Sequence, residues 1–217
     1  MKQMKPIIKK IPYIGITVKG AVRTLRKVLF PGSLIFPGSQ AYWEGRYAGG
    51  GTSGAGSSGA FAEFKAELLN AFVKDKSVKS VIEFGCGDGH QLSLASYPKY
   101  IGLDVSKTAI ELCTERYRDD NKKRFSPYNP DNFVDSHGII KAELDLSLDV
   151  IYHLIEDRIF ELHMRHLFSA AEKYVVIYSG NIDSDQVGHQ RHRKFSDWID
   201  AHVPVWDLLE ETPNRFP

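Results

Sequence analysis

The stretch Val81-Ile82-Glu83-Phe84-Gly85-Cys86-Gly87-Asp88-Gly89-His90 carries the strongest local signal in this chain. A short apolar run holding one acid breaks into three glycines at alternate positions. Glycine takes positive φ without steric cost and lets the backbone come close to a ligand. Asp104 falls at the end of the next strand-like run, Tyr100–Val105, and lies 19 residues after Gly85. In nucleotide-binding parallel sheets that is where a carboxylate grips ribose hydroxyls. A dinucleotide fingerprint needs its third glycine at the sixth position, which here is His90. The spacing is instead GxGxG, with Glu83 two residues ahead of it.

Outward from that loop, apolar runs alternate with helical periodicities. Ala60–Val73 predicts a helix with Phe61, Phe64, Leu68 and Phe72 on one face. Lys107–Asp119, Glu156–Glu172 and Phe195–His202 predict further helices. Arg124–Tyr128, Leu144–Val150 and Tyr174–Tyr178 predict strands, and Val205–Glu210 a last one. Alternating β and α elements imply right-handed crossovers, hence a mainly parallel sheet with helices on both faces. Ligands of such sheets lie at the carboxyl ends of the strands.

Glu83-Phe84-Gly85-Cys86-Gly87-Asp88-Gly89, followed by Gly102-Leu103-Asp104-Val105-Ser106, resembles motif I and the next acidic strand of class I S-adenosylmethionine (SAM)-dependent methyltransferases. The resemblance covers roughly residues 40–212. It implies a Rossmann-like α/β sheet and SAM as cofactor. SAM has no pyrophosphate, and its cationic amino group favours a nearby carboxylate; Glu83 would face that group or orient the loop. Gly85, Gly87 and Gly89 would shape the loop under its methionine and ribose portions. Asp104 would take both ribose hydroxyls, and Asn129 or Asp131 would meet the adenine. Tyr42-Trp43-Glu44-Gly45-Arg46-Tyr47 resembles the W-E-x-R-Y segment that covers the cofactor pocket in several small-molecule members. That makes Trp43, Arg46 and Tyr47 cofactor-binding candidates, with the Gly-rich run 45–59 as hinges. Such folds close with an antiparallel hairpin whose last strand inserts into the sheet. The sequence stops at Pro217 after the sixth run, so a sheet without that strand is expected.

Methyl transfer asks an enzyme to align acceptor and methyl group, and to remove a proton where the nucleophile carries one. The fourth strand ends in Leu148-Asp149-Val150-Ile151-Tyr152-His153-Leu154, a position that faces cofactor and acceptor in this family. His153 is the general-base candidate, since imidazole titrates near neutral pH. Asp149 is the candidate for touching the methionine end of SAM or the acceptor. The Asn/Asp-Pro-Pro-aromatic pattern of nucleobase methylation is not present there, which argues against a nucleic-acid partner. After the fifth strand, His189, Arg191, His192 and Arg193 stand at the acceptor rim. Two arginines suit a phosphate or carboxylate on a small-molecule or glycan acceptor. No carboxylate ladder accompanies the two histidines, so no metal is expected. The expected reaction is methyl transfer to oxygen of a polar acceptor. N-methylation of a small amine and a non-catalytic adaptor on the same fold are the alternatives.

The chain has 217 residues, with 28 Lys+Arg against 27 Asp+Glu. Hydrophobic residues at 42% support a sizeable core and exclude whole-chain disorder. Two cysteines, Cys86 and Cys113, form no disulfide framework, which suits a reducing, cytoplasmic setting. The charge is unevenly spread. Residues 1–43 hold eight bases and no acid, which leaves 20 bases against 27 acids beyond. Residues 1–40 are expected as a basic arm and 41–217 as the methyltransferase domain. Within the arm, Val18, Val22, Leu25 and Leu29 share one helical face, with Lys19, Arg23, Arg26 and Lys27 off it. No apolar run there approaches the ~20 residues of a membrane span. Residues 1–30 suit a peripheral contact with an anionic inner membrane face or a protein partner.

Overall fold

The computed structural model describes residues 36–135 and 140–216. The amphipathic helix expected around residues 16–30 lies outside them. Val81–Phe84 forms β1 and is buried throughout, as its apolar character requires of a central parallel strand. β2 (Tyr100–Asp104), β3 (Lys123–Pro127), β4 (Ala142–Leu148) and β5 (Ala171–Tyr178) join it in a parallel sheet ordered β3-β2-β1-β4-β5. Glu83 stands opposite Gly102 on one side and Leu146 on the other. The chain grows outward from β1 to β3, then crosses back to place β4 on the far side of β1. That reversal opens a crevice at the carboxyl ends of β1 and β4.

The helices are α1 (Ser39–Ala48), α2 (Gly59–Asp75), α3 (Lys107–Arg116), α4 (Asp157–Ala170) and α5 (Phe195–His202). β4 alternates, so its two faces meet different helices. Leu144, Leu146 and Leu148 pack with Leu69 and Val73 of α2 and with Ile110 and Cys113 of α3. On the other face Ile82, Phe84 and Leu103 pack with Leu167 and Ala170 of α4. Trp198 of α5 closes a third cluster with Phe160, Met164 and Phe168. The α/β class with helices on both faces is thus present.

Two sequence expectations change. The inner seats of α2 are Ala62, Phe64, Lys65, Ala66, Leu69 and Val73, while Phe61 is exposed. Lys65 shares this buried face. Val205–Glu210 forms no strand, and the sheet of the described residues ends at β5. A turn at Pro204–Val205 follows α5, and Trp206 packs on Phe168 with ring centroids 5.4 Å apart. Val205 and Leu208 are left 86% and 82% exposed, so the apolar run is not held in a sheet.

The Gly-rich run is docked on the body. Ser53 N–H donates to the Asp88 carboxylate at 3.1 Å, and Asp88 N–H donates back to Ser53 Oγ at 3.1 Å. None of the described helices is long and apolar enough to cross a membrane.

Candidate active site

A cavity of about 680 Å³ lies over the carboxyl ends of β1, β2 and β4, within the ~300–1,000 Å³ range of small-molecule sites. Its floor is the glycine loop. Gly85 and Gly87 have φ of 94° and 56°. A Cβ on Gly85 would come 2.4 Å from Val150 Cγ2, and one on Gly87 would come 2.3 Å from Ser53 Oγ and 2.9 Å from Tyr47 Oη. Both positions therefore need glycine for space as well as for backbone angle. Gly89 faces Cys113 and Tyr117 instead and does not line the cavity.

Two buried carboxylates stand beside this loop. Asp104 Oδ2 accepts from Gly87 N–H and Oδ1 from Ser106 N–H, both at 2.9 Å. Burial pushes its pKa up to about 6, although the two amides pull it down. Glu83 accepts the Tyr100 hydroxyl at 2.6 Å, and burial raises its pKa to about 7.

Helix α1 roofs the cavity with Trp43, Glu44 and Tyr47. It is pinned at both ends. Ser39 Oγ lies 2.6 Å from Glu156 Oε2 and 2.8 Å from the His153 carbonyl, two acceptors that share its one proton, and accepts Ile155 N–H at 3.1 Å. Glu44 accepts from the Ser106 and Thr108 hydroxyls, each at 2.7 Å, and these bonds hold its pKa below the usual carboxylate range. The Tyr47 and Ser53 hydroxyls lie 3.0 Å apart. Arg46 stays outside the cavity, donating from Nε to the Thr52 carbonyl at 2.6 Å, with its guanidinium 5.6 Å from the Trp43 ring.

At the end of β4, Asp149 adopts φ 59°, a left-handed conformation that costs a non-glycine residue about 1–3 kcal/mol. Its Oδ2 lies 2.5 Å from Lys65 Nζ, and its Oδ1 accepts the Tyr152 hydroxyl at 3.1 Å. His153 also lines the cavity. Its Nδ1 lies 3.0 Å from the His189 carbonyl. A carbonyl only accepts, so Nδ1 carries the proton and Nε2 keeps its lone pair. Burial lowers the His153 pKa to about 4, which keeps the ring neutral.

The loop after β5 behaves differently from the expected acceptor rim. The His189 ring stacks between Tyr42, at 4.6 Å, and His153, at 5.0 Å. Arg193 donates to the Leu154 and Ile155 carbonyls and to Asp157, and Arg191 pairs with Asp157 at 2.9 Å. His192 stacks on Tyr152 at 5.1 Å. None of these four residues lines the cavity. Asn129 does not line it either, since its side chain accepts Asp131 N–H at 3.0 Å; Asp131 does line it. Sequence reasoning missed Lys65, Ser39 and Glu156 as cavity residues and Glu44 as a roof anchor. For Lys65 the usable signal was a lysine sharing a helical face with Ala62, Ala66, Leu69 and Val73.

No protein-family model matches the chain, and no curated protein matches it. Solved structures do. The methyltransferase domain of the bacterial protein CtHen1-C superposes with a TM-score of 0.52 at 19% identity, over 66% of this chain and 83% of that one. The N-methyltransferase NodS from Bradyrhizobium japonicum WM9, solved with S-adenosylhomocysteine, gives 0.51 at 15% identity, over 64% and 71%. Against the methyltransferase domain of bacterial CtHen1-CN the score is 0.45 at 22% identity, and the match takes in 52% of this chain and 63% of that one. The chain has the fold of class I SAM-dependent methyltransferases.

Proposed function

We propose that the protein is a SAM-dependent methyltransferase acting on a polar small-molecule or glycan acceptor, with oxygen as the methylated atom. The observation that carries this reading is the buried Asp104 carboxylate, hydrogen-bonded to Gly87 N–H and bordering the cavity. The residues present fit SAM: the loop has no room for side chains at Gly85 and Gly87, and two buried carboxylates, Glu83 and Asp104, line the cavity as acceptors for an ammonium and for hydroxyls. SAM supplies an electrophilic methyl group on a sulfonium centre. Asp104 would accept hydrogen bonds from ribose hydroxyls, and Glu83 would hold the amino group. Trp43 and Tyr47 on the pinned roof exclude water from the floor of the cavity. Neutral His153 would offer Nε2 to take the acceptor hydroxyl proton as the oxygen gains the methyl group and the carbon–sulfur bond breaks, with the neutral thioether as leaving group.

One observation favours a second reading. A ring held at a pKa near 4 is a weak base. A neutral amine already carries a lone pair and has less need of a base before transfer, so N-methylation of a small amine suits the same geometry. Arg193 bonds Asp157 and the Leu154 and Ile155 carbonyls through all three side-chain nitrogens, Arg191 spends Nη1 on Asp157 and the Ile155 carbonyl, and neither lines the cavity, so an anionic group on the acceptor gains no support from them.

Calorimetric titration with S-adenosylhomocysteine tests the cofactor reading. Saturable one-to-one binding is expected. A folded protein that takes up no ligand at millimolar concentration rejects it. Product analysis then separates oxygen from nitrogen, and a binder without turnover on any acceptor would be the adaptor.

A further inference from the structure

Lys65 has no task in the chemistry above. Its side chain is 2% exposed, and its ammonium lies 2.5 Å from Asp149 Oδ2 and 5.1 Å from the centroid of the Tyr178 ring. Lysine is almost never fully buried without a partner, and a buried ion pair often stabilises a fold no better than an apolar pair of the same volume. Fold stability is therefore a poor account of why an ammonium sits here. Its position in the cavity offers a better one. Lys65 and Glu83 both line the cavity, and the charge on Lys65 acts on the Glu83 carboxyl. The wall near the glycine loop thus presents the Lys65 ammonium, paired with the Asp149 carboxylate that also lines the cavity, and the buried Glu83 carboxylate, so groups of both signs stand ready for the two charges of an amino-acid zwitterion. Lys107 also borders the cavity, but it is exposed and follows the end of β2 on the Asp104 side.

We propose that Lys65 recognises the α-carboxylate of the ligand whose α-amino group faces Glu83, so that the site selects a cofactor with an intact amino-acid end. This rests on the reading of the cavity as a SAM site. Asp149 orients the ammonium, and the Tyr152 hydroxyl on Asp149 Oδ1 fixes that carboxylate in turn. The role is one of binding and selection. It moves no proton.

The test is calorimetry on the full chain with two ligands: SAM, and decarboxylated SAM, which keeps the amino group and the sulfonium. The wild type should bind SAM at least tenfold more tightly. In Lys65→Met the two affinities should converge to within about twofold, through loss of SAM affinity alone. If Lys65→Met leaves Asp149 uncompensated and fails to fold, the double variant Lys65→Met/Asp149→Asn removes both charges, and its ratio is read the same way. A tenfold preference that survives either variant overturns the assignment of Lys65 and leaves the cofactor reading standing. So does a wild type without preference. A wild type that binds neither ligand overturns the cofactor reading itself, and this inference with it.

Discussion

Gly87 concentrates the demands of the site into one residue. Its φ of 56° lies in the left-handed region, its N–H holds Asp104, and a methyl group there would collide with Ser53. Gly87→Ala should therefore weaken S-adenosylhomocysteine binding at least tenfold and lower stability by about 1–3 kcal/mol in denaturant titration. Unchanged affinity would mean that the loop does not touch the ligand. Asp145 is a residue of a different kind. It is 0% exposed in β4, and among the described residues neither carboxylate oxygen has a hydrogen-bond partner. Burial pushes its pKa up to about 8, against the pull of Lys141. An unfolded carboxyl titrates near ~4, so the folded state binds this proton more tightly. The resulting stability is fully present below pH ~4 and is lost as pH rises through the folded value. Glu83 and Asp104, with pKa values raised to about 7 and 6, act in the same direction. The melting-temperature difference between Asp145→Asn and wild type should accordingly be small at pH 4 and grow in favour of the variant up to pH 8. A difference that stays flat with pH would show that Asp145 ionises freely in the fold. At this scale the sequence was legible where chemistry is local. Gly85, Gly87 and Asp104 announce themselves by spacing along a strand–loop–strand unit. Lys65 and Asp149 are 84 residues apart, and their pairing depends on which face of α2 meets the sheet.

At the scale of elements, nearly all helices and strands stood out, and Phe195–His202 agrees to the residue. Periodicity carries that much because these segments bury one stripe or two faces. It failed at Val205–Glu210, where pairs of apolar residues are each followed by an acid and no strand of the described residues lies alongside. It also missed that the Tyr42–Tyr47 segment is part of a helix. The weight of α1 lies in its end contacts, which no periodicity reports. Ser39→Ala should cost about 1–3 kcal/mol, because one hydroxyl serves His153, Glu156 and Ile155. Hydrogen exchange should show the α1 amides opening faster in this variant while those of α4 stay unchanged. Equal acceleration in both helices would mean that the serine supports the whole fold and not the roof.

At the scale of the molecule, composition separated a basic arm from an acidic body. The cavity is lined entirely by residues between Pro37 and His163, and Phe36–Pro217 forms a compact unit. Removing residues 1–35 should leave S-adenosylhomocysteine affinity within about twofold while shifting the isoelectric point strongly downward. A tenfold loss of affinity would place the arm at the site. Helix α1 has one more consequence. Ser39 ties it to the segment after β4, and Glu44 ties it to the turn after β2, so it is a strap joining the two halves that grow outward from β1. Two halves strapped across their common crevice melt as one. Scanning calorimetry of the body should give equal calorimetric and van't Hoff enthalpies, and cutting both straps should lower the melting temperature while leaving one transition, because β1 pairs with both halves and one core joins β4 to α3.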